Sequence, residues 1–285
     1  MIYLSIICVV LLISSIFLEI FLLVGVINRK NLYEEAEKHF SHSLSLDKDV
    51  IKNSSVYVIA LPERKKYIEN SLNTYGLKDS AILVDAILKK DLDPDILKKH
   101  DEFLDKDHNL TNLGEIACYL SHLKVMKKFL LDEKKKAIIF EDDITPCAST
   151  KLYQSQLHQL RKELTELENK GVLEQYDIIY LGNCWSNCLG SNFITQHLAT
   201  NSESLCNHAY VINKKAAKII LDNSILLKTQ IDLLIVDLIK KHKLKSLTLF
   251  PQIFSQNRNV TGTTLGIIPA PMLTCNSIIN PHYFR

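Results

Sequence analysis

Glycine and proline are scarce in this chain, 8 and 7 of 285 residues, and tryptophan occurs once. So few breakers exclude a largely disordered polypeptide and leave an ordinary packed domain, 47% hydrophobic and 23% charged. A dominant charge is missing too: 34 Lys and Arg stand against 32 Asp and Glu, a net charge of +2. Without a basic surplus, nothing in the balance points to a nucleic-acid partner. Lys127, Lys128, Lys134, Lys135 and Lys136 flank apolar segments and read as a solvated helix end rather than a phosphate-backbone patch. No internal repeat or low-complexity tract appears.

What the chain does have is one long apolar run. Ile2 to Ile27 is interrupted only by Ser5, Ser14, Ser15, Glu19 and Gly25, and it exceeds the approximately 20 residues that cross a bilayer as a helix. It reads as a single N-terminal membrane anchor over residues 1–28, followed by a charged stalk over 29–53 and a catalytic domain over 54–285. Basic residues before the run and a small-residue cleavage site after it are both lacking, which argues against a cleaved signal peptide. Glu19 costs about 2.5–3.5 kcal/mol inside a membrane, which so apolar a segment absorbs. Arg29 and Lys30 follow the run and place the domain weakly on the cytoplasmic side.

The cysteines pull the other way. Beyond Cys8 in the anchor there are Cys118, Cys147, Cys184, Cys188, Cys206 and Cys275, an even number that an oxidising lumen would pair. Free buried thiols explain them as well. Cys184 and Cys188 have a zinc-like spacing, but no second suitable pair follows. The sequons at Asn53, Asn109 and Asn259 are no more than chance supplies.

After the stalk, strand and helix patterns alternate. Strands are expected at Ser55 to Leu61, Ala81 to Ala86, Tyr176 to Leu181, His208 to Ile212 and Ser246 to Phe250. Helices are expected at Arg64 to Tyr75, Asn112 to Leu131, Ser149 to Lys170, from the Asn213 cap to Leu221, and near Ile231 to Lys241. In the second of these, Asn112 and Glu115 form a capping pair, and Leu113, Ile116, Leu120, Leu123 and Leu130 mark the apolar face. Such alternation implies an α/β fold with a mostly parallel central sheet and helices on both faces.

The chemistry concentrates at Lys136 to Asp143, an apolar strand ending in Glu141, Asp142 and Asp143. Three crowded acids repel and persist most easily where a cation neutralises them. On a strand, Glu141 and Asp143 project to one side and Asp142 to the other. The plainer alternative is a solvated turn, which Pro146 supports. Ligands of open sheets collect at carboxyl ends of strands, and two further such ends carry Arg64, suited to a phosphate, and Gly182, suited to close approach of a ligand to the backbone.

Together, Val56 to Leu61 with Arg64, Leu110 to His122 including Gly114-Glu115-Ile116-Ala117-Cys118 and Ser121-His122, and Ile138 to Ile144 resemble glycosyltransferase family 25, the family of lipooligosaccharide and collagen galactosyltransferases. Asp177 to Gly182, His208 to Ile212 with Ala216 and Ala217, and Asp232 followed by Pro251 agree. The resemblance spans about Ser55 to Gln256; Ala117 replaces a glycine common in relatives, and nothing after Asn257 matches.

The resemblance implies a GT-A type nucleotide-sugar-binding fold and a divalent cation, usually Mn2+, holding a UDP-sugar. Galactose from UDP-galactose would pass to a hydroxyl of a glycan, lipid-linked or protein-linked acceptor. Glu141, Asp142 and Asp143 would hold the metal; Arg64, Asp142, Gly182 and His208 would lie toward the nucleotide; Asp232 and Glu115 would serve catalysis. Glu115, Cys118 and His122 share one helical stripe at the floor of such a site, where they could equally be hydrogen-bonding supports. A helix cap explains Asp232 almost as well as a base does. A metal-dependent phosphohydrolase and a membrane-anchored, non-catalytic carbohydrate-binding protein are the alternatives.

Overall fold

The computed structural model describes residues 54–74, 76–93, 113–146, 151–186, 191–200, 203–224, 229–250 and 252–257. The anchor, the stalk, Asn112, Cys147, Cys188, Pro251 and the tail beyond Asn257 lie outside the described residues. No helix among the described residues is long and apolar enough to cross a membrane.

An eight-stranded sheet organises the domain, in the order β2-β1-β3-β10-β5-β11-β8-β7. Its main strands are β1 (Ser54–Ala60), β2 (Ala81–Asp85), β3 (Lys136–Glu141), β5 (Ile178–Gly182), β10 (Ala209–Asn213) and β11 (Ser246–Leu249), with the short β7 (Asn192–Phe193) and β8 (Leu198–Thr200) at one edge. β1 pairs in parallel with β2 and β3, and β5 with β11. β10 is antiparallel to both of its neighbours, β3 and β5, and β8 is antiparallel to β11 and β7. The sheet is therefore mixed, with every strand except β8 and β10 running in one direction. Two small antiparallel pairs complete the framework: β4 (Ile144–Pro146) with β12 (Phe254–Gln256), and β6 (Trp185–Ser186) with β9 (Ser204–Leu205).

β1 is buried along its whole length, because a strand flanked by partners and covered on both faces has no solvent side. One face packs Val56, Val58, Ile138, Phe140 and Leu181 against Ile68 and Leu72 of α1 (Lys65–Thr74) and Leu160 of α3 (Lys151–Asn169). The opposite face packs Tyr57, Ile139, Tyr180, Tyr210 and Ile212 against α2 (Leu113–Leu130), α4 (Lys214–Asn223) and α5 (Ile231–Lys240). Each large apolar side chain so enclosed contributes about 1.5–3 kcal/mol of burial.

The buried face of α2 differs from the expected leucine stripe. Tyr119, Val125, Met126 and Phe129 are buried with Ile116 and Leu123, whereas Leu113, Leu120 and Leu130 are only partly so. The helix packs against both β1 and α4, so more than one face is covered. The Asn213 cap of α4 forms as expected, its side chain accepting from the Ala216 N–H at 2.8 Å.

Candidate active site at the carboxyl edge of the sheet

β1, β3 and β5 all end at one edge, and antiparallel β10 begins there. Topology thus brings Arg64, the three acids, Gly182 and His208 together from four separate segments. β3 stops at Glu141; Asp142 and Asp143 form a turn into β4 rather than continuing the strand. The turn sends the acids to different partners.

Asp142 is 5% exposed and reaches across to the end of β1. One oxygen accepts from the Leu61 N–H at 2.6 Å and the other from Arg64 Nη1 at 2.9 Å. Burial pushes its pKa up against those two donors, and the nearby Glu141 charge adds to the rise. With both oxygens engaged, its clearest task is to fix Arg64 at the edge. Glu141 accepts from Gln256 at 3.3 Å and lies 3.2 Å from the His122 ring, which in turn sits 3.0 Å from the Tyr210 hydroxyl. Burial works against its charge, but the hydrogen bond and charge of His122, then the charge of His208, hold its pKa below the ordinary carboxylate range.

Asp143 is 8% exposed, and its Oδ1 has no hydrogen-bond partner among the described residues. Burial, then the charges of Glu141 and Asp142, push its pKa up to about 7. Two close carboxylates resist double ionisation, and here Glu141 is the one shifted down and Asp143 the one shifted up.

Asp232, in the first turn of α5, is partly exposed. It accepts from its neighbour Leu233 at 2.9 Å and, across the edge, from the Cys206 N–H at 3.2 Å. Burial raises its pKa against these bonds, and Glu141 adds to the rise. Cys118 is exposed, although its thiol packs toward the acids of the edge. Its thiol pKa is pushed well up by burial and then by Glu141, Asp232, Asp143 and Asp142.

The other expected residues serve as supports. Glu115 is buried and accepts from Gln230 Nε2 at 2.6 Å, tying α2 to the start of α5. Gly182 does not leave room for a ligand as the sequence suggested. A Cβ there would lie 2.2 Å from the Phe254 carbonyl oxygen and 2.5 Å from His208 Nε2, so the glycine admits the chain's own segment 252–257. His208 is buried with its Nε2 3.3 Å from that same carbonyl. Cys184 is bridged to Cys206, with Cα atoms 5.5 Å apart, which removes it from the zinc-like pair with Cys188.

Sequence reasoning missed two contributors. Segment 252–257 straps the edge: Gln256 donates to Glu141, and the Asn257 N–H donates to the Asp143 carbonyl at 2.7 Å. Asn207, between Cys206 and His208, is buried, and neither polar atom of its amide has a partner among the described residues. The Cys184–Cys206 bridge, by contrast, is a pairing that the even cysteine count allowed in an oxidising lumen. A lone polar residue in a loop carries no periodic signal, and the strap has no motif; only the topology gives either a role.

The profile of glycosyltransferase family 25 (LPS biosynthesis protein) matches residues 53–235, more than half of the chain. The chain belongs to glycosyltransferase family 25. As a family 25 protein it is a glycosyltransferase, and the matched region holds every expected site residue from Arg64 to Asp232, while the strap lies beyond it. No curated protein matches the chain. Solved structures similar to this glycosyltransferase include A197 from STIV, 9% identical over 69% of this chain and 81% of that one, with a TM-score of 0.32. UDP-glucose pyrophosphorylase complexed with UDP-glucose is 9% identical over 76% and 79%, also with a TM-score of 0.32. Neither likeness bears on the chemistry.

Proposed function

We propose that this family 25 enzyme transfers galactose from UDP-galactose to a hydroxyl of a glycan, lipid-linked or protein-linked acceptor, with a divalent cation such as Mn2+ holding the donor. The observation that carries the cation is the buried, unpartnered Asp143 Oδ1 beside an ionised Glu141. Such an oxygen is costly to bury, and a hard cation suits an all-oxygen pair. Asp143 and Glu141 are its holders in this reading. When bound, the cation supplies Lewis-acid stabilisation of the departing diphosphate.

The chain's own residues do the rest. Arg64, fixed by Asp142, offers its guanidinium to the diphosphate. Asp232, with a raised pKa and one side open to solvent, takes the proton of the acceptor hydroxyl in an inverting displacement. The acceptor oxygen then bonds to the sugar's anomeric carbon as that carbon's bond to the diphosphate oxygen breaks. Family membership sets aside the phosphohydrolase and the non-catalytic binding protein as alternatives.

The test is a donor screen on the full-length protein in detergent, with UDP-galactose, UDP-glucose and GDP-mannose, with Mn2+ or EDTA, reading free nucleotide. UDP-galactose cleavage that needs Mn2+ and falls at least about 100-fold in Asp143→Asn is expected. Asp232→Asn keeps donor binding and loses transfer. Preference for another donor removes galactose from the proposal, and full turnover in EDTA removes the cation.

A further inference from the structure

The mechanism above leaves Cys118 and His122 without a chemical task. They sit four residues apart on α2, one turn above the other on the same face. Cys118 Sγ, a His122 ring nitrogen and a Glu141 carboxylate oxygen all lie within 4.8 Å of one another. His122 is fully buried, and its two nitrogens are divided between Tyr210 and Glu141: Nδ1 is 3.0 Å from the Tyr210 hydroxyl, and Nε2 is 3.2 Å from Glu141 Oε1. A partner on the far nitrogen is how metal-ligating histidines are oriented. Cys118 itself is exposed, so an ion can approach its sulfur from solvent.

We propose that Cys118, His122 and Glu141 form a binding site for a thiophilic divalent cation, Zn2+ or Co2+, distinct in ligand chemistry from the oxygen pair of the donor cation. One sulfur, one imidazole nitrogen and one carboxylate oxygen suit Zn2+, whereas Mn2+ and Mg2+ prefer oxygen throughout. Binding releases the thiol proton to solvent and forms the metal–thiolate bond, with water in the fourth position. This site stands whether or not Asp143 holds a donor cation. If it does, sharing Glu141 makes zinc an inhibitor of transfer, a consequence that rests on the proposed function.

Titrating Co2+ into the full-length protein with its Cys184–Cys206 bridge intact should produce the near-ultraviolet charge-transfer band of a cobalt–thiolate bond, saturating at one equivalent. Cys118→Ser should abolish the band, His122→Gln should weaken Co2+ binding at least about tenfold, and stoichiometric Zn2+ should bleach it while Mn2+ does not. No band in the folded wild type, or a full band in Cys118→Ser, overturns the site. Should Cys118→Ser not fold, Zn2+ protection of Cys118 from iodoacetamide in the wild type, mapped by mass spectrometry, decides; an unprotected thiol overturns it. Because the band is read without donor or turnover, loss of the galactosyltransferase reading would leave this result untouched, and the converse.

Discussion

Glu141 and Asp143 divide one charge between them, and that division has a measurable cost in the metal-free protein. The Asp143 pKa rises from 3.8 to about 7 on folding, through burial and then the neighbouring acids. A raised folded-state pKa stabilises fully below the unfolded value, and the stabilisation is lost as pH climbs through the folded one. Asp143→Asn, which never ionises, should therefore gain on the wild type between pH 5 and pH 8 in EDTA, by on the order of 2–4 kcal/mol. Denaturant midpoints of both proteins at the two pH values measure this; a gap that stays constant refutes the assignment. The three acids were legible in the sequence because a strand pattern ran straight into them. That Asp142 serves Arg64 was not, since Leu61 and Arg64 lie about 80 positions away and become neighbours only when β1 pairs with β3.

At the scale of elements, strands and helices with long apolar patterns were legible to within a residue or two. The direction of β10 was not: a connection through short β6 to β9, each two or three residues long, carries no period from which a crossover or a hairpin return can be read. That direction is what delivers Cys206, Asn207 and His208 to the active edge. Cys206 holds a φ of 69°, a left-handed conformation uncommon for a residue with a side chain. The bridge to Cys184 and the N–H donated to Asp232 both fix it there. Opening the bridge, which spans 22 positions, should cost about 3 kcal/mol of stability. It should also lower kcat with little change in donor KM, because Asp232 loses its cross-edge donor. The same reduction applied to Asp232→Asn should leave the remaining transfer nearly unchanged. Equal proportional losses in both proteins would make the bridge a fold staple without influence on Asp232.

For the whole molecule, the α/β architecture with helices on both faces follows from the alternation of patterns, while its active edge depends on pairings between distant segments. The apolar run at the N-terminus lies outside the described residues, and we propose that it anchors the domain to a membrane. Ile2 to Ile27 is long enough to span, so full-length protein should sediment with membranes and resist alkaline carbonate; extraction by carbonate would remove the anchor. Sidedness sets two physical signals against each other. Arg29 and Lys30 favour a cytoplasmic domain, but only two charges speak for it. The Cys184–Cys206 bridge favours an oxidising compartment, and we propose that side for the domain because the bridge is built into the edge that holds Asp232. The bridge therefore carries more weight. Cells quenched with a membrane-permeant alkylator before lysis should yield Cys184 and Cys206 unmodified and joined. External protease should reach the domain once any outer barrier is opened but the anchoring membrane is intact. Alkylated Cys184 and Cys206 together with protease protection would place the enzyme on the reducing side.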